Sequence, residues 1–247
     1  FLARAFVERG YSVLAIDADP NPNLALNLGL PLEEAERIVP ISENSSLIEE
    51  KTGAKPQNYG GVFRLSFRVD DIVQRFGTGT PSGANLIVMG AVRAAGQGCM
   101  CPANALIRAL LRHLLMKPNE VVVVDMEAGV EHFGRGTVEY VDALLVVTDS
   151  SLKSLETTRR ICKLARDIGI RRIFLVGNRV VDGESNIFQE FSRSIDVPLL
   201  CIVPYDEVLH RLDTQEQRRE DAFRSLGSFT AVKGICGRLI EFVETKV

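Results

Sequence analysis

Two closely spaced aspartates near the start of the chain, Asp17 and Asp19, are the first residues whose spacing could support a reaction. They lie in AIDADPNPNLA (15–25), directly after an apolar run, where Pro20 favours a turn. Two carboxylates at this spacing can face one site, where one attends a magnesium-bound water and the other orients an attacking water. The Asp-x-Asp-Pro pattern is equally typical of a plain turn, so this segment alone leaves both interpretations open.

A further aspartate, Asp125, ends a run of four valines in VVVVDMEAGVEHFGRGT (121–137). This is the form of a Walker B strand, whose aspartate lies near magnesium. The glycines that follow, Gly129, Gly134 and Gly136, would let the backbone approach a phosphate or change conformation. An ordinary strand end followed by a loop is the alternative, but two strands that both end in aspartate favour a site.

A pair of cysteines, Cys99 and Cys101, lies in GCMCPANALI (98–107). Alternate side chains of an extended segment share a face, and Pro102 suits the first position of a helix. Both thiols can therefore point the same way, with Cys101 at a helix N-terminus that favours the metal-binding thiolate. Two thiolates are half of a tetrahedral zinc-type site, which a homodimer would complete; two unrelated loop cysteines are the alternative. The remaining cysteines are predicted to be structural: Cys162, Cys201 and Cys236.

The elements that must position these residues alternate between strands and helices along the chain. Short, continuously apolar runs predict parallel strands that are covered on both faces, and apolar residues at helical spacing separate several of them. This alternation predicts an α/β fold with a doubly wound, mainly parallel sheet, which binds ligands beyond the carboxyl ends of its strands. The predicted strands are 12–17, 84–90, 121–125, 143–149, 172–178 and 198–204, and the predicted helices are 102–116, 151–169 and about 229–243.

Composition narrows the class of protein and its partners. A net charge of −3 gives no reason to expect nucleic acid or an anionic membrane as a partner. No apolar run approaches the roughly 20 residues that a membrane span needs. Five cysteines in 247 residues do not form a secreted disulfide framework, so a reducing cytoplasm is the simplest setting. We expect a single domain over residues 1–247, with an irregular insertion at about 30–83.

These segments together resemble the CooC-type ATPases that insert nickel into carbon monoxide dehydrogenase, a MinD-like class of P-loop ATPase with a deviant Walker A motif. The resemblance covers nearly the whole chain, and the motif DMEAGVEHFGRGT combined with Cys-x-Cys is fairly specific. It rests on segments that occur in the family's order: AIDADPNPNLA, GCMCPANAL, VVVVDMEAGVEHFGRGT, SLKSLETTRRICKLARDIGI, VGNRV and IVPYDE.

The resemblance implies a role for each motif. Asp17 and Asp19 would lie in the first switch segment, with Asp19 positioning the attacking water, and Asp125 would act on Mg²⁺ through water. Gly129 would open the second switch segment. A further set would read the adenine of ATP: Asn178 with backbone near Pro204 and Tyr205. Cys99 and Cys101 would bind zinc or nickel across a homodimer interface, which ATP closes and hydrolysis resets as nickel is delivered to the dehydrogenase.

One departure from the family is large. Its phosphate loop, K-G-G-x-G-K-[ST], should precede FLARAF (1–6), yet no Gly-Lys-Ser or Gly-Lys-Thr occurs in the sequence. That loop supplies the backbone N–H cradle, the phosphate lysine and the magnesium hydroxyl. FLARAFVERG also reads as the end of a helix whose start is absent, with Gly10 as its stop. We therefore expect a copy that lacks its first strand and phosphate loop, and that hydrolyses ATP poorly or not at all.

Two other classes of protein share parts of this pattern. A MinD- or ParA-like positioning or partitioning ATPase that targets membranes needs a basic amphipathic helix at its end. The segment GICGRLIEFVETKV (234–247) has two acidic and two basic residues, which argues against that version. An iron–sulfur reductase like the nitrogenase iron protein carries its two cysteines far apart in sequence, so the one-residue spacing here disfavours it.

Overall fold

The computed structural model describes residues 1–19, 21–44, 46, 74–90, 119–126, 141–213 and 220–244. The chain divides into two compact units and passes from one to the other at two points, after Ala5 and after Glu127. We call Phe6–Glu127 the first unit, and Phe1–Ala5 together with Ala128–Val247 the second unit. Helix α1 (Leu2–Glu8) crosses the first boundary and, as predicted, ends before Gly10, whose φ of 85° suits a helix stop.

The first unit contains a four-stranded sheet in the order β2-β3-β1-β4. β1 (Ser12–Asp17) lies parallel to both β3 (Asn85–Val88) and β4 (Glu120–Asp125), whereas the short β2 (Thr78–Gly79) pairs antiparallel with β3. The apolar residues of β1 and β3 are buried, as their continuous runs predict. Its short helices are α2 (Leu24–Asn27), α3 (Leu32–Ala35) and a 3₁₀ turn (Ile41–Glu43).

β4 differs from its neighbours, because its four valines are only partly buried. Among the strands that the structure describes, β4 pairs with β1 alone, so it is an edge strand of this sheet. The sequence predicts a fully covered strand here, since a run of valines is typical of parallel strands with both faces packed. Residue type alone therefore does not determine burial, which depends on what lies beside the strand.

The second unit contains a three-stranded parallel sheet in the order β5-β6-β7. Helix α4 (Leu152–Asp167) begins after Ser151, whose Oγ accepts the N–H of Ser154 at 3.3 Å and so caps the start of the helix. The elements in chain order are β5 (Leu144–Thr148), α4 (Leu152–Asp167), β6 (Ile173–Val180), α5 (Ser185–Ile195), β7 (Leu199–Pro204), α6 (Glu207–Asp213), α7 (Glu220–Arg224) and α8 (Gly227–Glu244).

Helices cover both faces of this second sheet. Phe188 of α5 packs over Gly177, where an added Cβ would lie 2.9 Å from the ring. Phe174, at an alternate position of the same strand and so on the other face, packs against Phe242 of α8 with ring centroids 5.0 Å apart. Parallel strands with helices on both faces confirm the predicted fold class.

All six predicted strands are present, and their bounds agree with the structure to within a few residues. The last predicted helix, 229–243, is also confirmed, as α8. The predicted helix 102–116 and about half of the insertion at 30–83 lie outside the described residues, and the single-domain assignment stays a prediction. Among the described residues, no helix has the length and apolar character of a bilayer-crossing segment.

Candidate functional site

Two of the predicted aspartates lie side by side at the carboxyl edge of the first sheet. Asp17 ends β1, Asp125 ends β4, and the two residues are directly paired in the parallel register. Paired residues of adjacent strands point to the same face, so both carboxylates occupy one edge. Asp17 is 1% exposed, whereas Asp125 is an exposed residue. The edge therefore combines one buried carboxylate with one that reaches solvent.

The segment after β1 wraps around the Asp17 carboxylate. Its Oδ1 accepts the N–H of Asp19 at 3.1 Å, and its Oδ2 accepts the N–H of Leu24 at 2.8 Å. Asp19 in turn accepts the N–H of Asn21 at 2.7 Å, and the Asn23 side chain donates to the Asn21 carbonyl at 2.8 Å. This set of short-range bonds is the Asx-type turn chemistry that the sequence suggests. These bonds hold the backbone of Asp19 against the Asp17 carboxylate.

Negative charge accumulates at this edge. Burial raises the pKa of Asp17, the backbone N–H groups of Leu24 and Asp19 oppose that rise, and the charge of Asp19 adds to it. The pKa of Asp125 is also raised, by desolvation on burial and by the negative charges of Asp17 and Asp19. Because Asp125 is exposed, its carboxylate is only partly desolvated. Repulsion from the neighbouring carboxylates is therefore the main reason why its pKa is raised.

A hydrated divalent cation fits this edge better than a fully protein-bound one. Mg²⁺ prefers oxygen ligands, usually keeps several waters and would relieve the repulsion between the carboxylates. No group of three acidic, histidine or cysteine residues within reach of one ion occurs in the described part of the chain. Asp125 is the carboxylate that reaches solvent, so it is the group best placed to face a hydrated ion.

The carboxyl edge of the second sheet carries a different set of groups. Thr148 pairs with Gly177 in the register, so Asp149 and Asn178 follow at neighbouring strand ends. The pairing of β6 with β7 shifts between Gly177 and Val180, and within this irregularity Arg179 adopts a left-handed φ of 57°. Asn178 is thereby carried out of the regular ladder with its amide side chain partly exposed.

Two more predicted residues join this second edge. Val180 pairs with Pro204, and the N–H of Tyr205 donates to the Val180 carbonyl at 2.9 Å. Tyr205 is 42% exposed, so its ring is available for contact with a ligand or partner. Asn178, Pro204 and Tyr205 therefore lie on adjacent strand ends of the second unit. An amide and an exposed aromatic ring are suited to a neutral, planar group that donates and accepts hydrogen bonds.

Sequence reasoning did not single out Asp149 as a site residue, although it also ends a strand. Hydrogen bonds from Ser151, through its hydroxyl and its N–H, lower the pKa of Asp149, and the Ser154 hydroxyl and the charge of Arg179 add to this effect. The signal was present in the motif TDSS, since strand-end aspartates followed by serines suit this local bonding. The N–H of Leu24 and the left-handed Arg179 carried no comparable signal.

The structure thus brings the predicted residues together in two groups, one in each unit. Asp17, Asp19 and Asp125 form the group of the first unit. A second group comprises Asn178, Pro204 and Tyr205. Three predicted site residues lie outside the described residues: Cys99, Cys101 and Gly129.

The class of protein is established by comparison with known families. Residues 1–218 match the CobQ/CobB/MinD/ParA nucleotide binding domain. Because the match spans most of the chain, the protein belongs to this family of nucleotide-binding domains. Solved structures share the fold: MinD in the MinC:MinD complex of Aquifex aeolicus has a TM-score of 0.66 at 16% identity and covers 97% of this chain and 87% of that one. A ParA family ATPase from Chlorobium tepidum has a TM-score of 0.67 at 17% identity, covering 94% and 90%.

Closer relatives give the branch of the family. The chain is 44% identical over 212 residues to the carbon monoxide dehydrogenase accessory protein CooC of Rhodospirillum rubrum, covering 86% of this chain and 80% of CooC. It is 43% identical over 207 residues to the uncharacterized ATP-binding protein MJ0823 of Methanocaldococcus jannaschii, covering 83% and 79%. These identities confirm the resemblance to CooC that the motifs carry.

Proposed function

We propose that the protein is an ATP-dependent maturation factor that aids nickel insertion into carbon monoxide dehydrogenase or a related nickel enzyme. The observation that carries this proposal is the register pairing of Asp17 with Asp125 at one sheet edge, in a chain 44% identical to CooC. Strand-end aspartates at a single edge are what a magnesium-nucleotide site requires. The segment 91–118, with the Cys-x-Cys motif, would then link the nucleotide site to metal cargo.

The chain's own residues would divide the work of the nucleotide site. Asp125 would hold Mg²⁺ through water, and Asp19 would orient the water that attacks the terminal phosphate. When bound, Mg²⁺ neutralises charge on the phosphates and so favours their transfer. Asn178 would donate to and accept from the adenine edge, with the backbone near Pro204 and Tyr205 lining the base. Gly129 would give the segment after Asp125 the freedom to change with nucleotide state.

The cargo would be a metal ion bound by Cys99 and Cys101, either Zn²⁺ or Ni²⁺. Two such pairs would meet across a homodimer interface and supply four thiolates. ATP would favour the closed dimer, and opening after hydrolysis would release the metal to the client enzyme. Because the sequence lacks a Gly-Lys-Ser/Thr loop, we expect the 247-residue chain itself to turn over ATP poorly or not at all.

Metal binding provides the test of this function. The purified chain is titrated with Zn²⁺ and with Ni²⁺, and bound metal and molar mass are measured in the same samples. The double variant Cys99→Ala/Cys101→Ala should abolish about one metal per dimer, as expected for a shared Cys₄ site. The matched control is Cys201→Ala, because Cys201 is partly buried in β7 and its Sγ lies 3.4 Å from the Ala231 carbonyl. Unchanged metal binding in the double variant would refute the cargo site.

A MinD- or ParA-like positioning ATPase is the second candidate, since such proteins share the fold. In this chain, however, helix α8 buries much of its apolar surface within the second unit, although Phe242 near its end is 46% exposed. Its buried residues include Phe229, Val232, Ile235 and Cys236. Binding to anionic vesicles in the presence of ATP would support the second candidate. The absence of such binding, together with cysteine-dependent metal uptake, would favour the maturation factor.

A further inference from the structure

We propose that Asp17 is a positioning residue that holds the backbone of Asp19 and Leu24 in place and thereby orients the Asp19 carboxylate, while the cation is left to Asp125. This inference rests on the proposed nucleotide site and assigns different tasks to two carboxylates that are paired in one register. From the sequence, and from the family resemblance, both would be counted as groups that attend the cofactor. The hydrogen bonds that Asp17 accepts from the backbone distinguish its role from that of Asp125.

Both oxygens of the Asp17 carboxylate are already used by the backbone. One accepts the N–H of Asp19 at 3.1 Å and the other accepts the N–H of Leu24 at 2.8 Å. Because Asp17 is 1% exposed, its remaining lone pairs are enclosed by protein rather than open to a hydrated ion. A carboxylate in this state stabilises a loop, since bonds between an ionised acceptor and backbone N–H groups are among the stronger ones in proteins.

The bond to Leu24 also completes the start of helix α2. The first N–H groups of a helix have no partner within it, and Asn23 at the N-cap makes no capping bond with its own side chain. Asp17 supplies the missing acceptor from seven residues away. At the other end of this short helix, Leu28 is 2% exposed and anchors the segment in the core. The segment after β1 is therefore held at both ends.

Asp19 takes its orientation from this arrangement. Its N–H is bonded to Asp17, and its own Oδ1 accepts the N–H of Asn21 at 2.7 Å. The Asn21 amide thus reports where the Asp19 carboxylate lies, although it makes no bond to Asp17 itself. This gives a readout that distinguishes positioning of Asp19 from a purely local role of Asp17.

Amide exchange and amide chemical shifts of the ¹⁵N-labelled chain test the proposal without any ligand. Asp17→Asn replaces one of the two acceptor oxygens by an NH2 donor and leaves the other without charge, so we expect faster exchange at Asp19 and Leu24. Asn21 should also exchange faster, because it loses the oriented Asp19 carboxylate. In Asp19→Asn, only Asn21 should change. The matched control is Asp125→Asn, which should leave all three amides as they are. Asp17→Asn with an unchanged Asn21 amide would overturn the proposal.

Mn²⁺ affinity in the presence of ATP provides the second measurement, read by the paramagnetic signal of the ion rather than by turnover. Asp17→Asn should change the affinity by less than about threefold, whereas Asp125→Asn should weaken it by about tenfold or more, because loss of a charge facing an ion costs at least about 1.4 kcal/mol. Equal weakening by the two variants would make Asp17 a ligand-side group and sink the proposal.

If Asp17→Asn fails to fold, the unsubstituted chain still decides the matter. A through-hydrogen-bond scalar coupling between the Leu24 nitrogen and the Asp17 carboxylate carbon is expected, and its absence would overturn the proposal. Failure of the proposed function gives a different pattern, in which the unsubstituted chain binds neither ATP nor Mn²⁺-ATP while the amide results stand.

Discussion

The carboxyl edges of the two sheets share a position in the fold but not a chemistry. At the first edge, Asp17 and Asp125 crowd together and the pKa of each is raised. At the second edge, the pKa of Asp149 is lowered by bonds from Ser151 and Ser154, and the nearby Asn178 is neutral. Parallel strands deliver side chains to one edge in both cases. The local partners then decide how the carboxylates are held: they crowd against one another at the first edge, whereas hydroxyl and N–H donors stabilise Asp149 at the second.

The largest expected effect comes from disrupting the second sheet while the first is left alone. Gly177→Val places a branched side chain where even a Cβ would lie 2.9 Å from the Phe188 ring. Overpacking of this kind should lower the free energy of unfolding by about 1–3 kcal/mol in urea denaturation. Because Gly177 precedes Asn178, adenine recognition should suffer too, while the Asp19 and Leu24 amides of the first unit keep their exchange rates.

Gly234→Ala is the matched control for that substitution. Apart from the helix's own nearby backbone, no atom of the described residues lies within 4 Å of an added Cβ at this position of α8, so the change should be neutral or stabilise the chain by up to about 1 kcal/mol. If both glycine substitutions destabilised the chain equally, the close contact between Gly177 and Phe188 would not be the cause.

The next effect concerns the base-binding role proposed for the second edge. Asn178→Ala should weaken ATP binding by about tenfold, because the adenine loses a donor and an acceptor. Binding of inorganic tripolyphosphate, which has no base, should be unchanged, and calorimetric titration of both ligands separates the two cases. Equal losses for ATP and tripolyphosphate would assign Asn178 to the fold rather than to the base.

A smaller effect is expected at the start of α4, which borders the second edge. Ser151→Ala removes the N-cap hydroxyl, which is also the largest of the groups that lower the pKa of the Asp149 carboxylate, while the N–H of residue 151 stays in place. Loss of such a cap typically costs about 1 kcal/mol, which thermal unfolding would detect. Ser151→Asp keeps an N-cap acceptor and should recover most of the stability. A variant with alanine that melts like the original chain would contradict this assignment.

The smallest effects concern pH, and the two edges should show opposite signs. A raised pKa means that the folded chain binds a proton at Asp125 more readily than the unfolded chain. Its stabilising contribution is present below the ordinary pKa of aspartate and is lost as pH rises through the raised value. Asp125→Asn should therefore stabilise the chain at neutral pH by a few tenths of a kcal/mol, the scale of partly screened charges.

Asp149 should behave in the reverse manner. Because its pKa is lowered, its contribution is present above the ordinary pKa of aspartate and is lost as pH falls through the lowered value. Asp149→Asn should thus cost a few tenths of a kcal/mol at neutral pH and progressively less as pH falls below the ordinary pKa of aspartate, with denaturation followed across that range. Effects of the same sign in the two variants would remove the electrostatic distinction between the edges.

The sequence predicts the strands and the first edge well, for a physical reason. Continuous apolar runs are required of parallel strands covered on both faces, and an aspartate at the end of such a run must lie at the sheet edge. The pairing of Asp17 with Asp125 follows from two such runs becoming neighbours. The partial burial of the β4 valines does not follow, because burial depends on elements beside the strand rather than on the strand itself.

The finer features depend on backbone groups, which the residue letters do not encode. Leu24 contributes its backbone N–H rather than its side chain to the first edge, so its apolar residue type gives no indication of this hydrogen bond. Arg179 adopts a left-handed conformation that is more usual for glycine or asparagine, and its letter gives no hint of the irregularity beside Asn178. Both features are properties of the backbone: the first is an N–H in the segment after β1, and the second is a left-handed residue within β6.

The two hydrogen bonds that the Asp17 carboxylate accepts from the backbone have a consequence for motion. Since one carboxylate accepts both N–H groups, rotation of that single side chain releases Asp19 and Leu24 at the same moment. The segment should therefore open in one step with one rate constant, rather than fray residue by residue from an end. Relaxation dispersion at the amides of residues 19, 21 and 24 would then fit a common exchange rate, as expected for one cooperative opening.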